Sequence, residues 1–148
     1  MKILIIQTAF IGDVILATSA IEKLHAHFPD AQIDMLVRSG NESLLKEHPL
    51  LNKTWVWNKK ANKLQNLFTL ALKIRKVKYD VAINIHRYAS SGFITFLSGA
   101  KSKIGYNKNP FSFCYDKKVK YEIGTGIHET ERIQLLIEEL TDSKVCKP

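Results

Sequence analysis

Four apolar residues in a row, Ile3-Leu4-Ile5-Ile6, run into a short turn, Gln7 to Asp13, and then into a segment of helical periodicity. That order constrains the fold more than any other feature of the chain. A strand that is apolar on both sides has no solvent face, so it belongs inside a parallel sheet covered above and below. Val14, Ala17, Ile21, Leu24 and Phe28 then recur at spacings of three and four, which predicts a helix packed back on that sheet. Pro29-Asp30 ends the helix, and Ile33 to Val37 is a second apolar run. Strand, helix and strand make one βαβ unit, which joins parallel strands by a right-handed crossover.

The pattern repeats along the chain. Glu42 to Glu47 reads as a short helix closed by His48-Pro49, and Thr54 to Trp57 as a short strand. Leu64, Leu67, Phe68, Ala71 and Ile74 predict a long amphipathic helix. Asp80 to Ile85 reads as a strand, Ser90 to Ser98 as a short apolar helix with Gly99 at its C-terminal cap, and Lys103 to Tyr106 as a fifth strand. Phe111, Phe113 and Tyr115 alternate, and so do Val119, Tyr121 and Ile123, which predicts strands or extended segments around Asp116-Lys117. Glu129 to Leu140 reads as a last helix, and Thr141 to Pro148 as a polar linker or tail. The whole implies an α/β fold: an open, mostly parallel sheet with helices on both faces. Such sheets bind ligands at the carboxyl ends of their strands, where the strand order reverses. The turn Gln7 to Asp13 is expected on that edge.

A chain of 148 residues fits one domain with a real core, and 45% hydrophobic with 24% charged residues is ordinary globular composition. The formal net charge of +8 points to an anionic partner such as a phosphorylated ligand, an acidic membrane face or nucleic acid. Cys114 and Cys146 are far apart, with no CxxC pair and no histidine at ligand spacing, so a zinc site is not supported and a reducing cytosol is expected. Gln7, Thr8, Gly12 and Asp13 interrupt the apolar start, which therefore reads as mature protein rather than a signal peptide. No stretch approaches the ~20 apolar residues of a membrane span.

The turn itself carries one glycine and one carboxylate. It is neither GxGxxG nor a Walker A loop, so both standard phosphate cradles are excluded there. Gly12 lets a ligand come close, and a helix N-terminus favours an ionised Asp13. An ionised carboxylate on a ligand-facing rim can take a proton from a substrate hydroxyl. Equally, Asp13 can simply cap the helix while Gly12 permits the turn. Elsewhere, Lys59, Lys60 and Lys63 open the long helix and Lys73, Arg75, Lys76 and Lys78 end it; each cluster is either an anion-binding surface or a solvated face. Arg87, at the end of a strand, can pair a carboxylate or phosphate. His128, Glu131 and Arg132 read as a helix start with a local ion pair, and Trp55 and Trp57 as packing residues.

The stretch from Lys2 to Thr18 resembles the opening of the bacterial heptosyltransferases, glycosyltransferase family nine. Phe28 to Asp34 resembles the family's second-strand entry, and Tyr79-Asp80-Val81-Ala82-Ile83-Asn84 its YDxxI strand. Gly99 to Tyr106 is similar to its G…RIG segment, and His128-Glu129-Thr130-Glu131-Arg132 to its HxxER helix start. The resemblance runs in order from Lys2 to about Leu140. It implies that residues 1–140 form the N-terminal, acceptor-side Rossmann-like domain of a GT-B glycosyltransferase, with 141–148 starting a linker and the C-terminal donor-binding domain absent. The implied reaction is inverting transfer from an ADP-heptose-type nucleotide sugar to a phosphorylated glycolipid of the lipopolysaccharide core, without metal or cofactor. Asp13 maps to the family's proposed general base. Thr8, Gly12, Lys59, Lys60, Lys63 and Arg87 are the expected acceptor contacts. The resemblance places the protein in the cytoplasm, at the inner face of the membrane, and the isolated chain is expected to be inactive without its donor half. The alternative is a non-catalytic basic α/β module for anionic ligands or nucleic acid. No nucleic acid is expected, because no nucleic-acid-binding motif accompanies the lysines.

Overall fold

The computed structural model describes residues 1–60, 62–121, 124, 126–138 and 140–141; Ile123 and the expected linker after Thr141 lie outside them. The apolar run becomes a strand, β1 (Lys2–Ile6), and the periodic segment a helix, α1 (Ile11–His27). Then come β2 (Gln32–Arg38), β3 (Lys53–Trp57), α2 (Lys63–Val77), β4 (Val81–Asn84), α3 (Ala89–Leu97), β5 (Ser102–Tyr106), β6 (Lys117–Val119) and α4 (Glu129–Ile137). Six strands form one sheet in the order β3-β2-β1-β4-β5-β6, and every pairing is parallel. The chain builds outward from β1 to β3, then crosses β1 and builds the other way from β4. The strand order therefore reverses between β1 and β4.

Alternation along each strand divides the core in two. Ile3 and Ile5 join Ile33, Met35, Val37 and Ile83 under α1 and α4. Leu4 and Ile6 join Leu36, Trp55, Trp57 and Ala82 under α2 and α3. Ile3 to Ile6 are all fully buried, and truncating a side chain in such a place costs about 2–5 kcal/mol. A polar network lies inside this core, centred on a buried carboxyl side chain. Asp34, in the middle of β2, accepts a hydrogen bond from Asn52 Nδ2 at 2.9 Å and another from the Tyr79 hydroxyl, which itself accepts from Trp55 Nε1 at 2.8 Å. The network ties β2, β3 and the entry to β4 together. Burial, then the bond to Asp34, pushes the Tyr79 hydroxyl well above its usual pKa.

Three expectations need correction. Phe111 and Phe113 do not lie on a strand: Ser112–Cys114 is a single 3-10 turn, whereas the extended segment expected around Asp116-Lys117 is present as the edge strand Lys117–Val119. Phe111 and Phe113 instead pack together, ring centroids 5.9 Å apart, against Phe96 of α3. The helix expected from Glu42 to Glu47 is a 3-10 turn at Glu42–Leu44. Finally, Leu67, Leu70, Ala71 and Ile74 form the buried stripe of α2, whereas Leu64 and Phe68 are exposed. Gly99 does follow α3 in the left-handed region, with φ 68°.

Candidate active site

The sheet's ligand-facing edge is built where β1 and β4 end side by side. Gln7 N–H donates to the Leu36 carbonyl at 3.0 Å, and Ile85 N–H to the Ile6 carbonyl at 2.9 Å, so the ladder continues one residue past the strands. Beyond it the chains separate. Thr8 and His86 face each other across the gap, with Oγ1 and Nδ1 2.9 Å apart. Behind them Asn109 holds the loop after β4: its Nδ2 donates to the carbonyls of His86 at 3.1 Å and Tyr88 at 2.9 Å. Its Oδ1 accepts from Phe111 N–H at 2.9 Å. Gly92 makes room for this clamp, since a Cβ there would fall 2.0 Å from Asn109 Oδ1.

In front of the Thr8–His86 pair lies an open cavity of about 180 Å³. Gln7, Phe10 and Asp13 form one wall, His86, Arg87 and Tyr88 another, and Tyr121 and Glu129 close it. That is smaller than the roughly 300–1,000 Å³ of a complete small-molecule pocket, a size suited to part of a ligand. Asp13 is the third residue of α1, not its N-cap; the cap position is Phe10, whose N–H donates to Asp13 Oδ2 at 3.2 Å. The carboxylate thus both satisfies a free helix-end donor and borders the cavity. Gly12 has ordinary helical geometry and nothing within 4 Å of a Cβ position, so the turn does not require glycine, and the first turn of α1 is open to approach there.

The cations sit in two ranks. Lys59 is half-buried: Nζ donates to the Thr8 carbonyl at 2.9 Å and lies 4.8 Å from the centre of the Trp57 ring. Burial, then the charges of Arg38 and Lys63, lowers its pKa. Arg87 stacks between Tyr88 and Tyr121, 5.3 and 5.2 Å from their ring centres. Lys60 and Lys63 are exposed one step further out, Lys63 being 5.9 Å from the Trp57 ring. The second basic cluster ends α2, which runs from the carboxyl edge of the sheet back to its amino edge, so that cluster is remote from the cavity. Thr8 is fully buried with its hydroxyl on His86, a supporting place behind the cavity wall.

His86 is the group the sequence reading passed over. Burial, then Lys59 and Arg87, pulls its imidazole down to about 4, so it is neutral at pH 7. Its only sequence signal was its place at the end of an apolar run. Tyr88, Tyr121 and Glu129 were likewise not singled out for the site. The ion pair expected at this helix start joins Arg132 to Glu129, an acid outside the expected set of His128, Glu131 and Arg132, and Arg132 stacks 4.7 Å from the Tyr121 ring. Trp55 and Trp57 are buried packing residues. Among the described residues no group of three or more His, Cys, Asp or Glu is placed to hold a metal ion.

The fold is matched among solved structures. A glycosyl transferase family 9 protein from Veillonella parvula superposes with a TM-score of 0.87 at 22% identity, over 97% of this chain and 42% of that one. The E. coli heptosyltransferase WaaC, solved with ADP-2-deoxy-2-fluoro heptose, gives 0.79 at 20% identity, over 100% of this chain and 50% of that one. Among curated proteins, lipopolysaccharide heptosyltransferase 3 of Escherichia coli is 34% identical over 99 residues, 64% of this chain and 29% of that protein. The chain is a homologue of the family 9 heptosyltransferases. No family model matches it. This heptosyltransferase homologue spans less than half the length of the curated relatives it matches, and its all-parallel sheet corresponds to one Rossmann-like half of their GT-B structures. Among its described residues no helix is long and apolar enough to cross a membrane.

Proposed function

We propose that residues 1–140 act as the acceptor-side half of a heptosyltransferase, with Asp13 as general base. The observation that carries this reading is the position of Asp13: a carboxylate at a helix N-terminus, bordering the cavity at the strand-order reversal, with Arg87 on another wall of the same cavity. In the reaction, an acceptor sugar hydroxyl attacks the anomeric carbon of an activated heptose. Asp13 takes the hydroxyl proton as the new C–O bond forms. The nucleoside diphosphate leaves with the electron pair of the broken bond, and the configuration inverts. WaaC was solved with an ADP-sugar analogue, which supports an ADP-heptose-type donor held by a second half. Lys59, Lys60, Lys63 and Arg87 hold the phosphates or carboxylates of a lipopolysaccharide-core acceptor, and Gly12 leaves room for the sugar. Thr8 and neutral His86 keep the two loops in register. No metal takes part. The reading sets the protein to work at the cytoplasmic face of the inner membrane.

The test joins this chain to the donor-binding half of a relative and follows ADP release with ADP-heptose and a soluble deacylated acceptor. Asp13→Asn keeps an oxygen for Phe10 N–H but removes the base. It should lower kcat by about 100-fold or more while the fold is unchanged. Undiminished turnover in that variant removes Asp13 from the role.

A further inference from the structure

The outer side of α2 is apolar where a surface helix is normally polar. Leu64, Phe68 and Leu72 follow each other at a spacing of four and are 77%, 50% and 42% exposed. The inner stripe, Leu67, Leu70, Ala71 and Ile74, already serves the core, and the outer one is left largely to solvent. It continues onto its neighbours. Phe96 of α3 and Phe113 of the following turn are 40% and 68% exposed, with ring centroids 5.8 Å apart. A groove of about 700 Å³ runs between α2 and α3, floored by Leu67, Phe68, Phe93 and Phe111, with Lys63 and Tyr88 on its rim.

Charge on the chain is segregated to match. Residues 48–115, which build β3, α2, β4, α3, β5 and the aromatic turn, hold 12 of the 22 Lys and Arg but only one of the 14 Asp and Glu. That one, Asp80, is engaged by the Lys2 N–H at 2.8 Å and by Lys101 at 3.2 Å. The α1–α4 side carries exposed Glu22, Asp30, Glu131 and Glu138. Apolar side chains set among cations, with acids kept away, are the pattern of an interfacial surface for anionic lipid. A second copy of the same face would bring like charges together, so self-association is disfavoured.

We propose that the α2–α3 face docks on an anionic lipid bilayer, with Leu64, Phe68 and the Phe96–Phe113 pair entering the interface and Lys60, Lys63, Lys73 and Lys76 at headgroup level. Tyr88 lines both the groove and the cavity, so docking sets the cavity's mouth beside the headgroups. The proposal goes beyond the transfer reading and does not need it, because vesicles without acceptor sugar suffice to test it.

The experiment is flotation of the 148-residue chain with vesicles of equal parts phosphatidylglycerol and phosphatidylcholine, and with phosphatidylcholine alone. Partitioning is expected on the anionic vesicles and not on the neutral ones. Leu64→Gln with Phe68→Gln should lower it by about tenfold or more, and so should Lys63→Gln with Lys73→Gln. All four positions are exposed, and circular dichroism checks that the fold is kept. Lys46→Gln, outside the face, should leave it unchanged. A Phe113→Trp variant should gain fluorescence that lipids brominated in their acyl chains quench. No flotation on anionic vesicles overturns the proposal. Flotation indifferent to the Leu64/Phe68 pair, or association of the chain with itself that the same pair abolishes, overturns it equally. Loss of transfer with the soluble acceptor would strike the catalytic reading and leave these results standing.

Discussion

Asn109 is the residue whose loss should unsettle the site most at the least distance from it. Its side chain is buried and makes three hydrogen bonds, two to the His86 and Tyr88 carbonyls and one from Phe111 N–H. Asn109→Ala removes all three. At about 1 ± 0.5 kcal/mol each, the sum is roughly 2–4 kcal/mol. The two carbonyls keep the Ser91 hydroxyl, at 3.1 and 2.9 Å, whereas Phe111 N–H is left without an acceptor. That asymmetry favours the middle of the range over its top. With a urea slope of about 1–3 kcal/mol per molar, the midpoint should fall by about 1–3 M at unchanged slope. Gly92→Ala attacks the same clamp from below, through a Cβ 2.0 Å from Asn109 Oδ1, and should reproduce most of the loss. The assay is urea unfolding followed by far-UV circular dichroism. A midpoint that moves by less than about 0.3 M for both variants would refute the clamp, since no strained or buried group would then have been disturbed.

Three further outcomes are expected. His86 stands at about 4 in the folded chain against 6.5 for a free imidazole, so the unfolded chain binds the proton first and stability falls as pH drops through that window; urea midpoints against pH should show a flatter slope for His86→Gln. In Gly105→Ala the new Cβ would lie 2.2 Å from the Tyr115 ring, forcing it off and breaking the 2.9 Å bond from Asn84 Nδ2 to the Tyr115 hydroxyl, at a cost of about 1–3 kcal/mol by urea unfolding. Lys59→Ala should cost about 1 kcal/mol through the lost bond to the Thr8 carbonyl, while the exposed Lys60→Ala should stay within about 0.5 kcal/mol in the same assay.

The buried parallel strands were legible because each has to be apolar on both sides, as Ile3 to Ile6 and Ile33 to Val37 are. β6 was less sharply marked: the alternation of Val119, Tyr121 and Ile123 pointed to an extended segment near Asp116-Lys117, but Lys117–Val119 is a short, partly exposed edge whose bounds the pattern did not give. The aromatic alternation before it misled for a physical reason, since residues two apart can also cluster around a tight turn, as Phe111 and Phe113 do on Phe96. In α2 the apolar count ran ahead of the burial, because periodicity does not say which of two adjoining apolar stripes meets the sheet. Asp13 and Gly12 stood out on their own turn, but the role of Asp13 in the helix start was misplaced by three positions. The Thr8–His86 pair and the Asn109 clamp join residues 78 and 23 positions apart, and pairings of that kind are made by topology.

The reversal of strand order has a consequence for how the molecule assembles. β1 with β2, and β4 with β5, are each joined through a single helix and can close as local units. The seam between β1 and β4 spans most of the first half of the chain, so its closure carries a greater entropy cost and is favoured to come after theirs. Asp13 belongs to one unit, His86 and Arg87 to the other. The cavity is therefore absent from either unit alone and exists once the seam has zipped. A ligand that bridges the two walls acts as a rivet across that seam, and its binding energy adds directly to the cohesion of the two halves of the sheet.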